Sequence, residues 1–123
     1  MTRFRTILFD CDSTLTRLEG IDRLGEGRPE LAELTAAAMS GRMRLEDVYR
    51  ERLERVQPGR DAVARLAADY LEHVVEDAGP VIDVLSRAGI DVHVVSGGVR
   101  SAVAYFAGAL GLSPDAVHAV DVR

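Results

Sequence analysis

Two short apolar runs, each cut off by a polar loop, constrain this chain more than any other feature. Residues 3–9, Arg-Phe-Arg-Thr-Ile-Leu-Phe, start in alternation and finish as a solid apolar run that stops at Asp10-Cys11-Asp12-Ser13-Thr14. Residues 90–95, Ile-Asp-Val-His-Val-Val, stop at Ser96-Gly97-Gly98. The first run suits a buried strand entered from solvent, and the second is an equally clear strand. A third short strand is expected from about Val117 to Val122.

Helical patterns separate these runs. Residues 15–77 read as helical and polar. Pro29 suits a first turn, Leu31, Leu34, Ala38 and Met39 follow at helical spacing, and Gly41 suits a C-terminal stop. A second helix is expected from about Leu45 to Val56. A third follows Pro58-Gly59, with Val63, Leu66, Ala67, Tyr70 and Leu71 on one face. Gly79-Pro80 opens a helix carrying Val81, Ile82, Leu85 and Ala88, closed by Gly89; Val99, Val103, Phe106 and Leu110 mark another, ending at Gly111. Strands alternating with helices argue for an α/β fold with a parallel sheet.

Parallel sheets bind ligands beyond the carboxyl ends of their strands. Asp10 follows the first run and Ser96 the second, so their loops are expected on one edge of the sheet. A carboxylate placed there can attack a phosphate ester and form an acyl phosphate. It then needs a cation, donors for the phosphoryl oxygens, and an acid for the leaving alkoxide. Asp10 suits the nucleophile, and Asp12 the acid and later base. Paired carboxylates also attract a hard ion such as Mg²⁺. Ser13 and Thr14 offer further donors, while Ser96 and the N–H of Gly97 precede a helix N-terminus, a ready anion site. Asp-x-Asp-Ser-Thr is equally the composition of a plain turn or helix cap. Its position at a strand end, matched by a second strand ending in Ser-Gly-Gly, favours the phosphate reading.

Arg52 adds a separate signal. On the second helix, Leu45, Val48, Tyr49, Leu53 and Val56 form an apolar stripe, and Arg52 falls in its middle. An inward Arg either binds an anion in bidentate fashion or snorkels out or pairs with an internal acid; the sequence leaves both open. Cys11 to Arg17 matches the Cys-x5-Arg spacing of a thiolate-based phosphate loop, but Asp10 and Asp12 beside the thiol oppose its ionisation. Cys11 therefore reads as a small apolar residue. His73, His93 and His118 show no metal-ligand spacing, and His93 reads as structural.

The bulk numbers exclude other classes. The net charge of −5 gives no electrostatic case for nucleic acid or an anionic membrane, and all fifteen basic residues are Arg. The apolar stretches fall well short of the about 20 residues a membrane span requires. With a single Cys, no internal disulfide and no recognisable secretory signal, a cytoplasmic location is expected.

Phe9-Asp10-Cys11-Asp12-Ser13-Thr14 and Val95-Ser96-Gly97-Gly98 resemble the first two motifs of the haloacid dehalogenase superfamily. Glu19-Gly20-Ile21-Asp22, Ala38-Met39-Ser40-Gly41, Glu51-Arg52-Leu53 and Val56-Gln57-Pro58 extend the resemblance to its phosphoserine phosphatase family, in order and spacing. The resemblance implies a partial Rossmann-like core from residues 1–14 and 78–123, with a helical cap inserted at 15–77. It implies that Asp10 is phosphorylated and ligates Mg²⁺, and that Asp12 is the acid/base and ligates through its carbonyl. Glu19 would hold the ammonium of phosphoserine and Arg52 its carboxylate; Met39 would line the pocket; Ser96 and Gly97 would bind phosphate. Members of the family continue further, to a phosphate-gripping Lys and a late Asp-containing loop. This chain has no Lys, and its last acid is Asp121. The expectation is therefore an N-terminal part of such an enzyme, weakly active or inactive alone, with an open sheet edge that favours self-association. A non-catalytic phosphate- or partner-binding module, or a phosphatase of another small phosphomonoester, are the competing expectations.

Overall fold

The computed structural model describes residues 3–122; positions 1–2 and 123, the outermost residues of the two expected core stretches, lie outside the described residues. Three parallel strands, β1 (Thr6–Phe9), β2 (Asp91–Val99) and β3 (Val117–Val120), form a sheet in the order β1-β2-β3. Ile7 pairs with Val92 and Phe9 with Val94; Val94 in turn pairs with Val117. Parallel neighbours need crossover connections, and helices supply them. Between β1 and β2 run α1 (Gly20–Leu24), α2 (Pro29–Met39), α3 (Leu45–Val56), α4 (Arg60–Glu72) and α5 (Ala78–Arg87). Between β2 and β3 come α6 (Arg100–Ala109) and a 3₁₀ turn, Pro114–Ala116. The turn signals perform as read: Gly41, Gly89 and Gly111 all take positive φ just beyond their helices.

One face of the sheet is covered. Val92, Val94 and Val117 bury against Val103 and Phe106 of α6, Ile82 of α5, and Leu66 and Tyr70 of α4. Burial of these side chains is the main favourable term in folding. A second, smaller cluster joins Leu31 and Leu34 of α2 to Val48 of α3. α4 thus belongs to the cluster built on the sheet, whereas α2 and α3 pack mainly on each other.

Two expectations need correction. The first strand is not buried: it is an edge strand, and Leu8 points to the uncovered face with 64% of its surface exposed. The second strand does not break at Ser96. It runs on to Val99, and the register against β3 slips between Val95 and Val99, so Ser96-Gly97-Gly98 form an irregular segment inside the strand. Of the apolar residues that mark α5, Ile82 is buried while Val81 is exposed. On the open face His93 places Nδ1 3.1 Å from Nε2 of His118 and Nε2 3.0 Å from Oδ2 of Asp91, a structural cluster of polar groups. No described helix is long and apolar enough to cross a membrane.

Candidate active site

β1 delivers Asp10 to the carboxyl edge of the sheet, where it is exposed. The loop after it is tightly wound. The amides of Thr14, Leu15 and Thr16 all donate to the carbonyl of Cys11, and the Cys11 amide donates to Oδ1 of Asp10 at 2.8 Å. Ser13 sits in the left-handed region at φ 59°, a conformation that costs roughly 1–3 kcal/mol outside glycine and persists where surroundings enforce it. Here its amide donates to the carbonyl of Leu18, and its hydroxyl donates to Oε1 of Glu19 at 2.6 Å. The loop and the residue before α1 are thereby tied together.

Asp12, two residues on, is buried, only 8% exposed. Its Oδ2 accepts the Gly20 amide at 2.8 Å, and the Tyr70 hydroxyl lies 3.0 and 3.1 Å from its two oxygens. Burial pushes the Asp12 carboxyl above the usual aspartate range; the donors from Gly20, Tyr70 and Cys11 pull it back in part, and the nearby charge of Asp10 adds to the rise. A raised carboxyl is what a general acid requires. Gly20 has to be glycine here, because a Cβ would stand 2.2 Å from the Tyr70 oxygen. Burial and the neighbouring Asp12 raise the Cys11 thiol far above its ordinary range, and its side chain is wholly buried. That excludes it as a thiolate nucleophile in this fold.

The irregular end of β2 faces these acids. Asp10, Asp12, Glu19, Tyr49, Ser96, Gly97 and Gly98 line one cavity of about 160 Å³. The Ser96 hydroxyl accepts the Gly98 amide at 2.9 Å, which leaves its proton free to donate. The hydroxyl end of the Tyr49 ring lies over Gly97, where a Cβ would meet Cζ at 3.4 Å. A larger cavity of about 720 Å³ lies between α4 and the start of α6, lined by Val63, Ala67, Val99 and Tyr105 among others. None of its lining residues is a carboxylate, so the small cavity is the candidate site.

Five of the expected site residues, Asp10, Asp12, Glu19, Ser96 and Gly97, therefore meet in one place. Arg52 is buried, as its place in the apolar stripe implied, but it pairs with Asp22 of α1 through Nη2. Its Nε is buried without a partner. Met39 ends α2 with 85% of its surface exposed and does not line the cavity. Sequence reasoning placed Tyr70 and Tyr49 on apolar stripes and passed over their hydroxyls. The available signal was that a buried tyrosine seeks a polar partner.

Among the described residues no group of three or more His, Cys, Asp or Glu side chains is arranged to hold a metal ion. Mg²⁺ ordinarily takes one or two protein carboxylates and completes its shell with water and phosphate oxygens. The exposed Asp10 carboxylate fits that smaller demand, while the Asp12 side chain is engaged by Gly20 and Tyr70.

A parallel sheet with an acidic loop after its first strand and a Ser-Gly-Gly segment at the end of its second defines a hydrolase-type α/β protein. The haloacid dehalogenase-like hydrolase family matches residues 4–123, and the chain belongs to it. Within it the chain is similar to phosphoserine phosphatases: it is 35% identical over 116 residues to that of Rattus norvegicus, covering 92% of this chain and 52% of the relative. The structure is similar to a substrate-bound phosphoserine phosphatase complex at a TM-score of 0.72 and 30% identity, covering 100% of this chain and 59% of that one. A phospho-aspartyl intermediate analogue of phosphoserine phosphatase gives 0.69 and 30%, covering 99% and 58%. The chain spans about half the length of the curated relatives it matches.

Proposed function

We propose that this chain carries the nucleophile, acid and phosphate loop of a phosphomonoester hydrolase acting on O-phospho-L-serine. The observation that supports it best is the convergence of Asp10, Asp12, Glu19, Ser96 and Gly97 on one cavity. Asp10 attacks phosphorus, and the bond from phosphorus to the serine oxygen breaks. Asp12, protonated, gives its proton to the departing alkoxide, so serine leaves neutral at that oxygen. Asp12, now a carboxylate, takes a proton from water as the water oxygen attacks the acyl phosphate, returning Asp10 and releasing inorganic phosphate. Tyr70 and Gly20 hold the Asp12 carboxyl in place through both steps. Ser96 and Gly97 receive the phosphoryl oxygens. Glu19 takes the substrate ammonium and Arg52 its carboxylate.

Mg²⁺ would be held by Asp10 and the Asp12 carbonyl, and when bound it offsets charge on the phosphoryl group. In this reading residues 15–77 are the inserted cap segment, its α4 packed onto a core of 1–14 and 78–123. β1 and β3 leave their outer edges open, and pairing with a second copy there belongs to the same proposal. Turnover by the 123-residue chain is expected to be slow, because no Lys is present to grip the phosphoryl group. The test is therefore a single turnover. Acid-quenched mass spectrometry after mixing with phosphoserine and Mg²⁺ should find a phosphoryl adduct on Asp10, absent in Asp10→Asn. An adduct on another residue, or none, refutes the reading.

A further inference from the structure

Both groups proposed to hold the amino-acid end of the substrate are already engaged within the protein. Glu19 accepts the Ser13 hydroxyl at 2.6 Å, and Arg52 is paired with the carboxylate of Asp22. The two partners of the Arg52–Asp22 pair differ in setting. The Arg52 side chain is 10% exposed, whereas that of Asp22 is 60% exposed, on the five-residue helix α1. The hydrogen bond runs through Nη2 alone, and the buried Nε has no partner. An Arg held by one nitrogen while another is buried and unsatisfied has not reached its preferred bidentate arrangement.

We infer that Asp22 is a specificity-determining residue: it occupies Arg52 as an internal carboxylate, and only a ligand with its own carboxylate displaces it. This rests on the reading of Arg52 as the partner of the ligand's carboxylate. A carboxylate reaching both Nε and an Nη gains a bidentate pair and satisfies the orphaned N–H, which Asp22 leaves undone. Asp22 then returns to water at little cost, since most of its side chain is already exposed. Two carboxylates beside one guanidinium repel, so Asp22 and the ligand do not share the site comfortably. A phosphate ester without a carboxylate makes no bid for Arg52 and leaves the pair closed. Asp22 thus sets how much of Arg52's attraction a carboxylate ligand realises: it weakens carboxylate-bearing ligands alone and leaves simple amines untouched.

The experiment compares two uncleavable probes that differ only in a carboxylate, L-2-amino-4-phosphonobutanoate and 3-aminopropylphosphonate. Each is titrated with Mg²⁺ into the wild-type chain, Asp22→Asn and Asp22→Ser, following the Gly97 and Gly98 amide resonances. A thermal melt of each variant confirms folding. Removing a partly exposed competing charge should tighten the carboxylate probe about three- to fivefold and leave the carboxylate-free probe unchanged. If the carboxylate probe binds both variants no more tightly than wild type, the gate is wrong. Equal gains for both probes would reduce Asp22 to a general repulsion and overturn the proposal as well. Binding of neither probe to any of the three chains refutes the phosphate site itself, and the gate with it; that result is distinct from wild-type binding that Asp22 fails to modulate.

Discussion

The hydroxyl of Tyr70 lies within hydrogen-bond distance of both carboxylate oxygens of Asp12, joining α4 to the loop after β1. Tyr70 is fully buried, packs its ring 5.6 Å from that of Phe106, and leaves no room for a side chain at Gly20. A single tyrosine therefore fixes the proposed acid, the start of α1 and part of the core over the sheet.

Tyr70→Phe tests that role. It keeps the ring and removes one of the donors to a buried carboxylate. A stability loss of about 1.5–3 kcal/mol is expected at pH values where Asp12 is ionised, the usual range for a hydrogen bond to a charged group. The Tyr70 bond also holds the Asp12 carboxyl down, so its loss raises that group further. As pH falls and Asp12 takes up its proton, the difference between wild type and variant should shrink. Urea denaturation of both chains from pH 8 to pH 3 measures it, and a difference that stays constant over that range contradicts the assignment.

Asp12→Asn should separate stability from chemistry. The folded-state carboxyl titrates above its ordinary range, so the native protein binds that proton more tightly than the unfolded chain does. Asp12 therefore favours folding at low pH, and this contribution is lost as pH rises through the window between the ordinary aspartate range and the raised value. Asn has no such titration. Relative to wild type, the variant should gain stability across that window and hold the gain above it. Transfer of the phosphoryl group should fall about 10²- to 10⁴-fold with the general acid removed. Denaturation curves from pH 4 to pH 8, with quench-flow on the same samples, give both numbers.

How legible the site was depended on how local each signal was. Asp10, Asp12, Ser96 and Gly97 were readable because a strand end fixes where the next residue goes, and two parallel strands bring their carboxyl ends together. The helices α2 and α3 were readable to their ends because Pro29, Gly41 and Pro58 punctuate them. Exposure of Leu8 was not readable, since an apolar run does not say which strand lies at the edge or which sheet face a helix covers. The continuation of β2 through Ser96-Gly97-Gly98 was hidden because glycine usually breaks a strand, whereas here it bulges one. The apolar stripe left open whether Arg52 binds an anion, snorkels out or pairs with an internal acid; its partner on α1 depends on how two helices cross, which periodicity along one helix does not contain.

Cys11 gives a test that needs no turnover. Its side chain is wholly buried and its thiol is held protonated well above neutral pH, by burial first and then by Asp12. Iodoacetamide at pH 8 should leave the native chain unmodified for hours and alkylate it readily in urea. Cys11→Ser should retain phosphoryl transfer within about threefold while losing roughly 1–2 kcal/mol of stability, as a buried hydroxyl replaces a thiol. Rapid alkylation of the native chain, or loss of transfer in Cys11→Ser with its fold intact, would restore the cysteine mechanism.

Gly97 and Gly98 are adjacent, yet their alanine variants should fail in different ways. At Gly97 a Cβ would meet Tyr49 at 3.4 Å, ordinary contact, so the fold should tolerate it with a loss under about 1 kcal/mol. The added methyl projects towards the Tyr49 ring at the cavity wall, where a phosphoryl oxygen would approach the backbone, and affinity for inorganic phosphate should fall about tenfold or more. At Gly98 a Cβ would stand 3.1 Å from Cγ2 of the fully buried Val103 and 3.1 Å from the Ser96 hydroxyl oxygen, with the Tyr70 oxygen at 3.3 Å. Three neighbours must give way at once, one of them a core side chain, so Gly98→Ala should cost about 1–3 kcal/mol of stability before ligand is considered. Thermal melts with phosphate titrations on both variants separate the two effects. Equal destabilisation by both, with equal phosphate affinity, would show that Gly97 serves the strand rather than the site.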